Sequence, residues 1–254
     1  MSASLFIVTG ASRGLGAAIA GQLLAPGVTL VGMARHEQPS LAARAQATGA
    51  TLEQWALDLA DPIPAAERLG AWLHAQDGTR FAEATLINNA GMITPPGPID
   101  ALDATTLSNA LRVGLEAAVL LSAAFLGAVR AWPAHKKVLN ISSGLGRRPM
   151  AGSAPYCAAK AGMDLFTRAL ALDEAHRGAG GARVVSLAPG VIDTDMQVQL
   201  RSADAVGFPD RGNFEALSTQ GRLASPDAAA AQVLAYLRRP DFGANPLADV
   251  RDPA

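Results

Sequence analysis

The feature that most constrains this chain is an alternation. Short apolar runs, "LFIV" (5–8), "VTLVGMA" (28–34), "TLEQWAL" (51–57), "ATLIN" (84–88), "KVLNIS" (137–142) and "RVVSLA" (183–188), are separated by alanine- and leucine-rich segments. Those segments lie near 15–25, 40–48, 63–76, 103–131, 154–177 and 226–238. The runs lack polar alternation, as strands covered on both faces do. Strand–helix–strand repetition implies a parallel sheet with right-handed crossovers and helices on both faces. The expectation is an α/β, doubly wound parallel sheet. With 254 residues, 50% of them hydrophobic, a single domain over 1–254 has ample material for its core. No repeat, linker or break in composition divides it. The exception is 189–222, rich in Gly, Pro, Asp and Ser, which reads as a substrate lid.

Several function classes are disfavoured at once. A formal net charge of -1 offers no global field for nucleic acid or an acidic membrane. The pairs Arg147–Arg148 and Arg238–Arg239 read as solvated surface. One cysteine, Cys157, precludes an intramolecular disulfide. No metal motif occurs and the four histidines are scattered, so no metal site is expected. No secretory signal is visible at the N-terminus, and the longest apolar stretch, "LEAAVLLSAAFLGAV", carries Glu116 and is short for a membrane span. A cytoplasmic protein is expected.

Ligands of such sheets bind beyond the carboxyl ends of the strands. There "TGASRGLG" (9–16) follows the first strand and opens the first helix. Gly10, Gly14 and Gly16 permit a tight turn and close approach to a phosphate, and the helix start directs free N–H groups at it. Ser12, Arg13 and Leu15 complete that loop. At the end of the second strand "VGMARHE" places Arg35 where an acid would hold the 2′-hydroxyl of NAD. Arg35 and Arg13 together suit the 2′-phosphate of NADP, so NADP(H) is expected over NAD. Glu37 is the competing acid.

The stretch "SAPYCAAKAG" (153–162) puts Tyr156 and Lys160 on one helix face, with Pro155 at the helix start. The chain has two tyrosines and three lysines. A phenol titrates too high for easy proton exchange at neutral pH, and a nearby ammonium lowers it. Ser143, at the end of "VLNISS", would hold a carbonyl oxygen. The competing reading is an aromatic at a helix start with a surface lysine one turn on.

The glycine loop, "NNAG" (88–91), "ISS" (141–143), "YCAAK" (156–160) and "PG" (189–190), in this order, resemble the short-chain dehydrogenase/reductase family over nearly the whole chain. The resemblance implies a Rossmann-type fold. It also implies Tyr156 as general acid in reduction, Lys160 as its tuner and ribose ligand, and Ser143 as the carbonyl-positioning hydroxyl, with Ser142 the runner-up. It implies further that Asn88, Asn89, Ala90 and Gly91 line the adenosine side, with Asp58 and Leu59 near the adenine. Pro189, Gly190, Val191, Ile192 and Thr194 would flank the nicotinamide. Many members carry an Asn in the long fourth helix, which supports a kink and a proton relay; here Gly114 stands in its place.

The loop "PGVIDTDMQVQLR" looks like that of the sepiapterin reductase and benzil reductase branch. That likeness implies a small-molecule carbonyl substrate, a vicinal dicarbonyl, touched by Ser143, Tyr156 and Met196. Asp249, with Asp252 as runner-up, would anchor it, although two solvated acids on a frayed tail explain the same residues. Met150, Met196, Leu200 and Phe208 would wall the pocket or pack the lid. A 3-oxoacyl thioester reductase and a non-catalytic NADP-sensing protein are the alternatives. The family resemblance also implies a homodimer or homotetramer through the helices at 103–131 and 154–177.

Overall fold

The computed structural model describes residues 3–253. Its strands are β1 (Ala3–Thr9), β2 (Val28–Ala34), β3 (Thr51–Ala56), β4 (Phe81–Asn88), β5 (His135–Ile141), β6 (Arg183–Ala188) and β7 (Leu247–Asp249). Its helices are α1 (Gly14–Leu23), α2 (Pro39–Thr48), α3 (Pro62–His74), α4 (Ala104–Leu111), α5 (Ala117–Val129), α6 (Ala154–Ala175), α7 (Asp195–Arg201), α8 (Arg211–Thr219) and α9 (Pro226–Leu237). The strands form one parallel sheet in the order β3-β2-β1-β4-β5-β6-β7. The strand order reverses between β1 and β4, the point beyond whose carboxyl ends ligands of such sheets bind.

The continuous apolar runs are explained by two cores, one on each face. Successive side chains of a strand point to opposite faces. Phe6, Val8, Leu30, Leu139 and Val185 pack with α1 and α9. Leu5, Ile7, Val31, Val138 and Val184 pack with α3 and α5. The edge strand β3 is the exception: Glu53 and Gln54 are half-buried, and the buried Trp55 meets Trp72 edge-on at 5.8 Å.

Two readings of the sequence need correction. The segment 189–222 is not one irregular loop, because it contains α7 and α8, broken apart by Gly207-Phe208-Pro209. The tail is not frayed: Leu247–Asp249 adds a seventh strand beside β6, with Asp249 opposite Ala188. The long helix is continuous but carries a π-helical turn, Arg112–Glu116, between α4 and α5. A Cβ on Gly114 would lie 2.9 Å from Cβ of Ala159 in α6, so the usual side chain has no room here. This whole stretch, Ala104–Val129, is longer than the apolar run within it and is apolar enough to cross a bilayer by length and composition alone. Half of its most apolar window is buried in the fold, where α5 packs on α3.

Candidate active site

The glycine loop is held by sterics and by β4. Gly10 and Gly14 take φ of +67° and +53°. A Cβ on Gly16 would fall 2.1 Å from the Gly10 carbonyl oxygen, and one on Gly10 would fall 2.9 Å from Nδ2 of Asn89. Asn89 in turn donates to the Thr9 carbonyl at 2.9 Å, and Thr9 Oγ1 accepts from the backbone N–H groups of Asn89 and Ala90, both at 2.9 Å. No side chain caps α1, so its first N–H groups remain for an anion. The Cβ position of Gly14 lies 3.5 Å from Cγ2 of Thr194, which brings the start of α7 over the loop. Leu15 is buried and offers the loop its backbone only. The Ser12 carbonyl accepts from Gln38 at 3.0 Å, a support the sequence did not signal. These residues fit a dinucleotide pyrophosphate: the cradle is shaped where any side chain would fill it.

At the ribose end Arg35 is exposed just beyond β2. Arg13 makes an ion pair with Asp195 of α7, so its guanidinium points to the lid. Asp58 is exposed after β3 and accepts from the Ala60 N–H at 2.9 Å, while Leu59 is buried in the core. Asn88 does not line the adenosine side. It is buried and donates to Asn140 at 2.9 Å and to Ser122 at 3.2 Å, because the strand pleat turns it away from its neighbour Asn89. Ala90 is half-buried and Gly91 exposed. A Cβ on Gly91 would lie 3.6 Å from Nζ of Lys160, so the "NNAG" turn runs directly beside the ammonium.

Pro155 opens α6 and places Tyr156 and Lys160 one turn apart, both buried. Ser143 caps a short 3-10 turn, its Oγ accepting from Leu145 N–H at 3.1 Å. Ser142 is committed elsewhere, donating to Asp164 at 2.6 Å. Burial pushes the Tyr156 phenol above its ordinary value; the Ser143 side chain opposes this and Cys157 adds to it. Burial lowers Lys160 to about 8, with Asp164 opposing. The expected lowering of the phenol by Lys160 is not what this arrangement shows. Nζ donates to the Ile141 carbonyl at 2.7 Å and stands 5.8 Å from the Tyr156 ring centroid, and desolvation dominates the phenol.

Beyond β6, Gly190 turns the chain with φ of +80°, Pro189 is buried and Val191 exposed. Ile192 pairs with Ala224 in an isolated bridge, and Thr194 is the N-cap of α7. Met150, Leu200 and Phe208 pack with Tyr156 in one apolar cluster, and Met196 lies against it. The lid helix and the phenol therefore share a wall. Asp249 is not presented as a free anchor: Arg251 chelates it, with Nε on Oδ1 at 2.7 Å, and holds its carboxyl below the usual range. Asp252 accepts from the Asp249 N–H at 2.7 Å. The sequence reading missed Asp164 and Gln197. Both are polar residues on buried faces of helices, and that contrast was the available signal.

A family model described as short chain dehydrogenase matches residues 4–205. A benzil reductase ((S)-benzoin forming) of Bacillus cereus is 33% identical, covering 93% of this chain and 94% of its own. The sepiapterin reductase of Rattus norvegicus is 30% identical, covering 99% and 98%. Among solved structures, a putative 2-deoxy-d-gluconate 3-dehydrogenase from Agrobacterium tumefaciens with bound NADP superposes with a TM-score of 0.78 at 26% identity, covering 98% of this chain and 95% of that one.

Proposed function

We propose a function from one premise: the chain belongs to the short-chain dehydrogenase/reductase family and is an oxidoreductase acting on C=O and CH–OH groups. Our reading is an NADPH-dependent carbonyl reductase whose substrate is a vicinal dicarbonyl, benzil-like or sepiapterin-like. The observation that carries it is the position of Tyr156, which joins a proton-donating phenol to an apolar wall of Met150, Leu200 and Phe208. NADPH, when bound, supplies the hydride. The glycine loop and α1 would hold its phosphates, Arg35 its 2′-phosphate, and Gly91, Val191 and Thr194 would border it. Ser143 orients the ketone oxygen, and Tyr156 gives that oxygen its proton. A phenol raised by burial stays protonated at neutral pH, which suits reduction. The test is NADPH oxidation with benzil and with sepiapterin, and chiral analysis of the product. Tyr156→Phe is expected to abolish turnover while cofactor binding stays near wild type; retained turnover would remove Tyr156 as the acid.

We further propose that the chain pairs with a second copy through α5 and α6. Leu165 and Leu172, seven residues apart on α6, are 64% and 67% exposed, an unusual investment for a helix that also carries the catalytic pair. Sedimentation of wild type against Leu165→Arg tests this; an unchanged mass would refute it.

A further inference from the structure

Lys160 is buried, its Nζ bonded to the Ile141 carbonyl, and an aspartate of the same helix is built into the core beside it. Asp164 follows Lys160 by one helical turn on α6 and is 5% exposed. It accepts from Ser142 Oγ of the segment after β5 at 2.6 Å and from Ser186 Oγ of β6 at 2.6 Å. Arg147 Nε reaches its other oxygen at 3.3 Å, and the same guanidinium donates to the Ala248 carbonyl of β7 at 2.9 Å. Even the turn between them is shaped for this: a Cβ on Gly146 would strike Asp164 Oδ2 and the Lys160 carbonyl, both at 2.9 Å. Burying a carboxylate is costly, and it is retained when it is fully hydrogen-bonded and serves a partner. The other groups around Lys160 carry little compensating charge. Tyr156 is a buried phenol and Cys157 a thiol on the same helix; Arg112 and Glu116 of the π turn are half-exposed and paired with each other. Asp249 of β7 is spent on Arg251, β5 offers the Ile141 carbonyl, and the "NNAG" turn offers Gly91.

We propose that Asp164 is a positioning residue of the reaction, a buried counter-charge clamped by Ser142, Ser186 and Arg147 that keeps Lys160 an ammonium beside Tyr156. This rests on the assignment of Tyr156 and Lys160 above. It also gives the π turn at Gly114 a consequence: with no side chain there to feed Lys160, the protonation of Lys160 is set from the opposite side of α6. Arg147 moderates the effect, since it draws on the same carboxylate.

The chain has three lysines, Lys136, Lys137 and Lys160, so lysine ε-carbons labelled with carbon-13 give three NMR signals, assignable by Lys136→Arg and Lys137→Arg. In wild type the Lys160 signal should titrate near 8. In Asp164→Asn it should titrate lower by about one pH unit or more, and in Arg147→Gln it should move the other way. The alkaline limb of kcat/KM for ketone reduction should shift with it, whereas a merely structural loss would lower the rate equally at all pH. An unmoved Lys160 titration in Asp164→Asn overturns the proposal. If that variant does not fold, Arg147→Gln decides: an upward shift supports it and no shift refutes it. The NMR readout needs no turnover, so a chain inactive on every carbonyl would sink the reductase reading and leave this measurement intact.

Discussion

Arg35 has an assignment in which one residue decides between two cofactors. A guanidinium facing a phosphate dianion makes charge-assisted hydrogen bonds worth about 1.5–3 kcal/mol. NADH has no 2′-phosphate for it to meet. Arg35→Ala is therefore expected to weaken NADPH by roughly 10- to 100-fold and NADH by less than about 3-fold, read by fluorescence titration of each. Equal losses for both would place Arg35 elsewhere in the site. Arg13 is a different case. Its pair with Asp195 is exposed on both sides, so it contributes about 0–1 kcal/mol and yields readily to a stronger anion. Asp195→Asn should therefore leave the fold intact and modestly tighten NADPH, because it frees Arg13. A loss of NADPH affinity in that variant would mean that the ion pair itself shapes the loop.

At the scale of elements, the contact between the π turn and α6 sets the sharpest limit. Gly114→Ala adds a methyl where Cβ of Ala159 is 2.9 Å away, and both partners are backbone-fixed. Overpacking of this kind costs about 1–3 kcal/mol, so the variant should unfold earlier in urea and move Lys160, one residue beyond Ala159. Gly114→Ala combined with Ala159→Gly should recover most of the loss; no recovery would locate the strain elsewhere. The elements themselves were legible in the sequence where apolar runs were long or faced two cores, as in β1, β2 and β6. β7 was missed because the three residues between Pro246 and Val250 give no periodicity. α7 and α8 were missed because Gly and Asp dominate their surroundings. That Tyr156 and Lys160 share a helix face was legible from their spacing, and the places of Ser143 and the glycine loop from the strands they follow. Asp164 was not, since its meaning lies in Ser142, Ser186 and Arg147, which only folding brings to it. Asn88 and Asn89 look equivalent in "NNAG"; the strand pleat alone separates a core amide from a loop clamp.

Across the whole molecule, the site is held at a cost to stability. Lys160 titrates at about 8 in the fold and near 10.5 when unfolded. A folded value depressed below the unfolded one means that the unfolded chain holds more protons between those two values. Stability from this group therefore rises with pH through that window and is at its lowest below about 8. The penalty at pH 7 is on the order of 3 kcal/mol, from about 1.4 kcal/mol per unit. Lys160→Met removes it and fills the same space, but leaves the Ile141 carbonyl without its donor, a loss of about 1–3 kcal/mol. The net expectation is a gain of roughly 1 kcal/mol, or about 2–4 °C in Tm for a chain of this size, in a variant that no longer turns over. The difference in Tm between Lys160→Met and wild type should shrink as the pH is raised from about 8 towards 10.5, because the wild-type lysine loses its buried charge over that range. Calorimetry at pH 7 and pH 9.5 measures both numbers. A gap that stays constant would mean that Lys160 is not strained by burial, and a gap that widens would mean that its ammonium is stabilised by the fold.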